Sequence, residues 1–293
     1  MSRLWALAAL FMSLALGPAQ AQPQRDPLAA LNGQFGSVAV APPPAEAARL
    51  AGLMGDSLAA LQPQRPGQLD VYLLAASLWG EPVFEREATQ AADILREHFD
   101  LAGRSIVLSA GGQGERRYPA ATPENISAAI GRIGALIDPA EDMVVIFLTS
   151  HGRPDGAIAF SETNRMAAAL RPVHMRDLLS QANVRNRVVI VSSCFAGAFI
   201  APLIDDNTIV LAAAAADRTS FGCRPQNEWT FFGDAYFNHA VRGGAGLVPA
   251  FDQAKRLIEG WEREQNLTPP SNPQRYIGAS ADAMLRRAEH GTH

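Results

Sequence analysis

The sequence predicts a single α/β domain whose central sheet is parallel and covered on both faces. Continuous apolar runs such as "VVIFLT", "RVVIVSS" and "TIVLAAAA" lack the in-out alternation of a half-exposed strand, so they read as strands buried on two sides. Amphipathic segments of helical length separate those runs, the alternation that layers helices on a parallel sheet. No internal repeat of 20–50 residues is present to suggest a solenoid or propeller instead.

The elements follow in chain order. Residues 22–67 are rich in Ala, Pro, Gln and Gly and form an expected flexible N-terminal segment. It carries one short helix, Ala45 to Leu61, that either packs on the domain or acts as a pro-segment. The ordered domain is expected over 68–288. "DVYLLAAS" (70–77) is a strand, "FEREATQAADILREHF" (84–99) an amphipathic helix and "RSIVLS" (104–109) a second strand. "TPENISAAIGRIGALI" (122–137) opens with Thr-Pro-Glu, which is helix-start chemistry. Strands at 142–150, 187–193 and 207–215 and a helix at 175–183 complete the alternation. "FGDAYFNHAV" and "VPAFDQAKRLIEGWERE" supply closing helices.

The N-terminus has its own signature. "MSRLWALAALFMSLALGPAQAQ" places one Arg before about a dozen apolar residues and ends on Ala19-Gln20-Ala21. Residues 1–21 are therefore expected to be a secretory signal peptide, the alternative being an uncleaved anchor helix for which the run is short. The mature chain is expected in a periplasm or outside the cell, without a membrane span. A net charge of −4, with no extended Lys/Arg cluster, gives nucleic acid no footprint.

In a sheet of this type ligands sit outside the carboxyl ends of the strands. The two strands of purest β-branched character end there in "TSHG" and "SSCFAG". His151 and Cys194 are thus brought to one rim, where an imidazole can manage the proton of a thiol that attacks a carbonyl carbon. The backbone N–H groups of Gly152 and Cys194 are candidate oxyanion donors, with Ser150 and Ser193 shaping the rim. The competing readings are an inert buried thiol, a disulfide to Cys223, the only other cysteine of an exported chain, and a strand-end histidine bonded to backbone. Other chemistries find less support. No zinc-ligand spacing or G-x-S-x-G elbow occurs, and "GGQG" (111–114) lacks a phosphate-loop lysine. His98, His174 and His239 lie in helix-like stretches.

These residues also carry a resemblance. "VVIFLTSHGRPDGAIAF", the Cys of "VVIVSSCFAGAF" 43 residues beyond its His, and "AAAAADRTSFGCRPQNEWTFFGDAYF" (212–237) together resemble the legumain group of the caspase-like cysteine peptidases. The group comprises asparaginyl endopeptidases and the transamidase that attaches GPI anchors. The likeness covers about residues 68 to 240. It implies a caspase-like three-layer α/β sandwich with a mostly parallel central sheet, no cofactor, and acyl transfer from peptide or protein substrates to water or an amine. It also lets Cys223 be a free thiol beside the pocket.

The resemblance assigns the substrate pocket residue by residue. Arg86 matches the pocket arginine, Asp234 the aspartate, and Thr219, with Ser220 beside it, the serine. A carboxamide suits such a mix, because Arg donates to its oxygen while carboxylates accept from its NH₂. The family's acid two residues before the nucleophile is Ser192 here. Phe84 stands where legumains place the asparagine that orients the histidine, and Ser150 where an Asp is common. Two functions compete on these grounds. One is an exported cysteine endopeptidase or ligase acting after Asn or a related polar residue. The other is a caspase-fold binding module of the cell envelope, which the departures at Ser192 and Phe84 favour.

Overall fold

The structure is a computed structural model describing residues 42–111, 116–162 and 167–291. The expected signal peptide (1–21), residues 22–41 and Gly112 to Gly114 of "GGQG" lie outside the described residues.

The chain begins with helix α1 (Pro44–Ala59) and then alternates: β1 (Val71–Ser77), α2 (Pro82–His98), β2 (Ser105–Ser109), α3 (Pro123–Gly134) and β3 (Met143–Thr149). A hairpin of β4 (Ile158–Ser161) and β5 (Ala167–Leu170) precedes α4 (Pro172–Gln181) and β6 (Arg187–Ser192). A 3₁₀ turn (Ala196–Phe199) and one helical turn, α5 (Ile200–Leu203), lead into β7 (Thr208–Ala212). After a long connection come α6 (Phe231–Gly233), a π-helix (Asp234–Val241), α7 (Leu247–Glu264), β8 (Gln274–Ile277) and α8 (Ala279–His290).

Six strands form the main sheet in the order β2-β1-β3-β6-β7-β8. All neighbours run parallel except β8, which pairs antiparallel with β7 at the edge. Side-chain alternation distributes each strand between two cores. Leu73, Ala75, Val145, Phe147, Val188 and Ile190 face α2, the π-helix, α7 and α8. Tyr72, Leu74, Ile146, Leu148, Val189 and Val191 face α3, α4 and the turn after β6. The result is the expected three-layer α/β sandwich on a mostly parallel sheet.

The fold departs from the sequence reading in four places. α1 sits where a short helix is expected, but Leu50, Met54 and Leu61 are buried and the latter two join the second core. Arg65 clamps the connection that follows, its Nη2 2.6 Å from the buried Asp70 carboxylate. From Pro44 onward the N-terminal segment is therefore packed structure rather than a flexible lead. The β4–β5 hairpin escapes notice because its strands are four residues each, one of them mostly alanine. Strand β8 reads "QRYI", polar and half-exposed as an edge strand can be, and α8 follows it. The stretch 234–241 is a π-helix, its Arg242 N–H reaching back five residues to Phe237. No helix among the described residues is long and apolar enough to cross a membrane.

Candidate active site

Strand register positions the two residues singled out by the sequence. Thr149, the last residue of β3, stands opposite Ser192, the last of β6. His151 lies two residues beyond the first and Cys194 two beyond the second. The pairing continues past the ladder, since Ser150 donates its N–H to the Ser192 carbonyl at 3.2 Å. At the next step the backbones touch. A Cβ at Gly152 would lie 1.7 Å from the Cys194 carbonyl oxygen and 3.0 Å from its nitrogen, so only glycine fits beside the histidine.

The hairpin that the sequence does not announce fixes the histidine loop from outside. Ala159 of β4 donates its N–H to the His151 carbonyl at 2.9 Å, and the Ser150 hydroxyl donates to the Ala159 carbonyl at 2.6 Å. The imidazole is gripped by two aromatic edges. Trp79 and Phe84 meet it at centroid distances of 5.1 and 5.0 Å, with planes near perpendicular. On the remaining side the Glu81 carboxylate lies 3.3 Å from His151 Nε2.

Cys194 is half-buried and its sulfur accepts the backbone N–H of Ser220 at 3.3 Å. The thiol can in turn donate to the Ser220 carbonyl, 3.7 Å away. The next residue, Phe195, takes φ 58°, ψ 18°, a left-handed conformation that costs a bulky side chain about 1–3 kcal/mol. This turn sends the chain away from the strand axis immediately after the sulfur, and the Phe195 N–H is satisfied by the Arg218 carbonyl at 2.8 Å. After the cysteine the chain forms only the 3₁₀ turn and the single turn α5. Cys194 and Cys223 are both free, so the disulfide reading is overturned. Burial, reinforced by the nearby Cys194, Glu87 and Glu81, pushes the Cys223 thiol up to about 12.

Beneath the rim lies a carboxylate that the sequence reading passed over. Glu87, on α2, is completely buried and accepts hydroxyl hydrogen bonds from Thr149, from Ser192 at 3.1 Å and from Thr230 at 2.6 Å. Thr230 in turn accepts the Gly233 N–H as the N-cap of α6. A Cβ at Gly233 would fall 2.0 Å from the Glu87 Oε1, so a larger residue there would displace the carboxylate. Desolvation dominates over these bonds and raises the Glu87 carboxyl from its ordinary 4.5 to about 7.

The expected pocket residues are spread unevenly around this centre. Ser220 is half-buried, its backbone on the sulfur; Thr219 beside it is exposed. Ser192 is closed inside, 1% exposed, with its hydroxyl on Glu87. Arg86 reaches across to the connection before α6, where its Nη2 donates to the Pro225 carbonyl at 2.6 Å and also to that of Asn227. Asp234 opens the π-helix and accepts the Asn238 side-chain amide at 2.7 Å.

Comparison with known proteins now decides the family. The model of the peptidase C13 family matches residues 118–277, more than half of the chain, and that span includes both His151 and Cys194. The chain belongs to the peptidase C13 family. It is a legumain-type, cysteine-type peptidase. Among solved structures, caspase-1 from Spodoptera frugiperda is similar with a TM-score of 0.51 at 8% identity, over 72% of this chain and 87% of that one, which shows a shared fold. No curated protein matches the sequence.

Within the peptidase C13 family the departures noted in the sequence now have surroundings. Phe84, where the resemblance puts a polar orienting group, sets an aromatic edge against the imidazole. At Ser192, where the resemblance puts an acid, a carboxylate from another element, Glu87, accepts the hydroxyl's hydrogen bond. The signal for Glu87 was present: it falls on the apolar stripe Phe84, Ala88, Ala91, Leu95 of α2, an unusual place for a carboxylate. Glu81 gave no such signal, since a glutamate just before Pro82 reads as an ordinary helix-start acid.

Proposed function

We propose that this peptidase is an exported endopeptidase in which Cys194 is the nucleophile and His151 its base. The sulfur attacks the scissile carbonyl carbon while the imidazole takes the thiol proton. The imidazolium then returns that proton to the departing amine as the C–N bond breaks, and water hydrolyses the acyl-enzyme in the same sense. The N–H groups of Cys194 and Gly152 are the proposed donors to the tetrahedral oxyanion. The observation that carries this reading is the Thr149–Ser192 register, with the Gly152 backbone set against that of Cys194.

For specificity we infer a preference for Asn or a related polar residue, with Arg86, Ser220, Thr219 and Asp234 around the side chain. Ser192 enters as a buried wall residue rather than a direct contact. The Arg86 fork, itself engaged with two loop carbonyls, fixes the wall that carries Cys223 and Asn227. Export rests on the signal-peptide pattern of residues 1–21.

Purified mature protein assayed against peptides varied at the residue before the scissile bond tests the reading. Cleavage after Asn that is abolished by Cys194→Ala and by His151→Ala, with both variants folded, is the expected result. Cleavage that survives either substitution removes that residue from the mechanism. A folded wild-type protein that cleaves none of the peptides favours a binding module instead.

A further inference from the structure

Four titratable groups crowd this rim besides His151: Glu81, Glu87, Cys194 and Cys223, the last sensing the other three through space. Glu87 is committed to three hydroxyls and is sealed from solvent. Cys223 is held as a neutral thiol by its burial. Only Glu81 faces the imidazole, at 3.3 Å from Nε2, with both side chains about one-third exposed.

The local structure leaves Glu81 free for this contact. It is the N-cap of α2, a position where short polar side chains normally bond the first helical N–H groups. Glu81 makes no such side-chain cap, and Pro82 follows it without an N–H to satisfy. Its carboxylate instead turns towards His151, while Trp79 and Phe84 limit the ring's rotation from two sides.

Resting on the Cys194–His151 reading, we propose that Glu81 is the positioning residue of the histidine: it holds Nε2 and leaves Nδ1 to exchange the proton with the Cys194 sulfur. No proton passes to the carboxylate in this scheme. When the thiol proton moves to Nδ1, the imidazolium gains a neighbouring anion, and that attraction is relinquished when the proton passes to the leaving amine. Glu81 thus occupies the role left vacant by Phe84, from three residues earlier in the chain.

The test compares full kinetics of the mature wild type, Glu81→Gln and His151→Ala on one peptide. Glu81→Gln keeps the side chain's shape, and circular dichroism with a thermal melt checks its fold. The expected result is a kcat lowered at least about tenfold with KM little changed. A Glu81→Gln enzyme with wild-type kcat, beside an inactive His151→Ala, overturns the role of Glu81 alone. An active His151→Ala overturns it together with the dyad on which it rests.

Discussion

Thr149 and Ser192 face each other across the β3–β6 ladder, and the Glu87 carboxylate accepts a hydrogen bond from each hydroxyl. A helix of one layer is thereby pinned to two neighbouring strand ends, each two residues short of a residue proposed to do chemistry. Thr230 adds a fourth element to the same carboxylate and links it to the start of α6.

Removing that pin should cost stability. Glu87→Ala strands three buried hydroxyls and opens a void, for an expected loss of about 2–4 kcal/mol, read from the midpoint of urea unfolding. Glu87→Gln retains the volume and most acceptor capacity, so its loss should be smaller. Equal stability of Glu87→Ala and wild type would contradict the bracing role.

The same group sets a pH dependence. The Glu87 carboxyl titrates near 7 when folded, against 4.5 ordinarily, because burial disfavours its charge. Between those values the native state binds more protons than the unfolded chain, so the contribution of Glu87 to stability falls as pH rises from about 4.5 through 7. Below 4.5 it is fully present. Glu87→Gln should flatten this part of a stability-against-pH curve, and an unchanged slope would show that other groups cause it.

Gly152→Ala probes the closest backbone approach in the site. Its Cβ, 1.7 Å from the Cys194 carbonyl oxygen, forces the histidine loop away from β6. Displacements of about 1 Å at a reacting centre cost on the order of 100-fold in rate, and a loss of that size in kcat/KM is expected. Peptide hydrolysis at wild-type rate would mean that the two loops need not touch.

The two cysteines should behave differently towards an alkylating agent. Cys223, pushed up to about 12, stays a thiol near neutral pH. Mass mapping after brief iodoacetamide treatment at pH 7–8 should find Cys194 carboxamidomethylated and Cys223 untouched. Modification of Cys223 first would reverse the assignment.

The sequence makes the sheet legible because its strands are unmixed Val/Ile/Leu runs and its helices carry clear apolar stripes. It also places His151 and Cys194, because the termini of two such runs are easily read. What it conceals is pairing at long range. "QRYI" becomes a strand only because the β7 edge is open to it, and "IAFS" because it docks on the loop bearing His151. The contact of Glu81 with His151 spans 70 residues and depends on the entry angle of α2, which composition does not encode. Glu87 is the intermediate case: its place on an apolar stripe is visible, whereas its three hydroxyl partners come from β3, β6 and the approach to α6.

The joint action of Cys194 and His151 is tested most directly by the rate of Cys194 alkylation as a function of pH, in the wild type and in His151→Ala. Coupling through a shared proton predicts faster labelling in the wild type than in the variant around neutral pH. In the variant the rate should fall by at least about tenfold. Identical profiles for the two proteins would show that the sulfur and the imidazole do not work together.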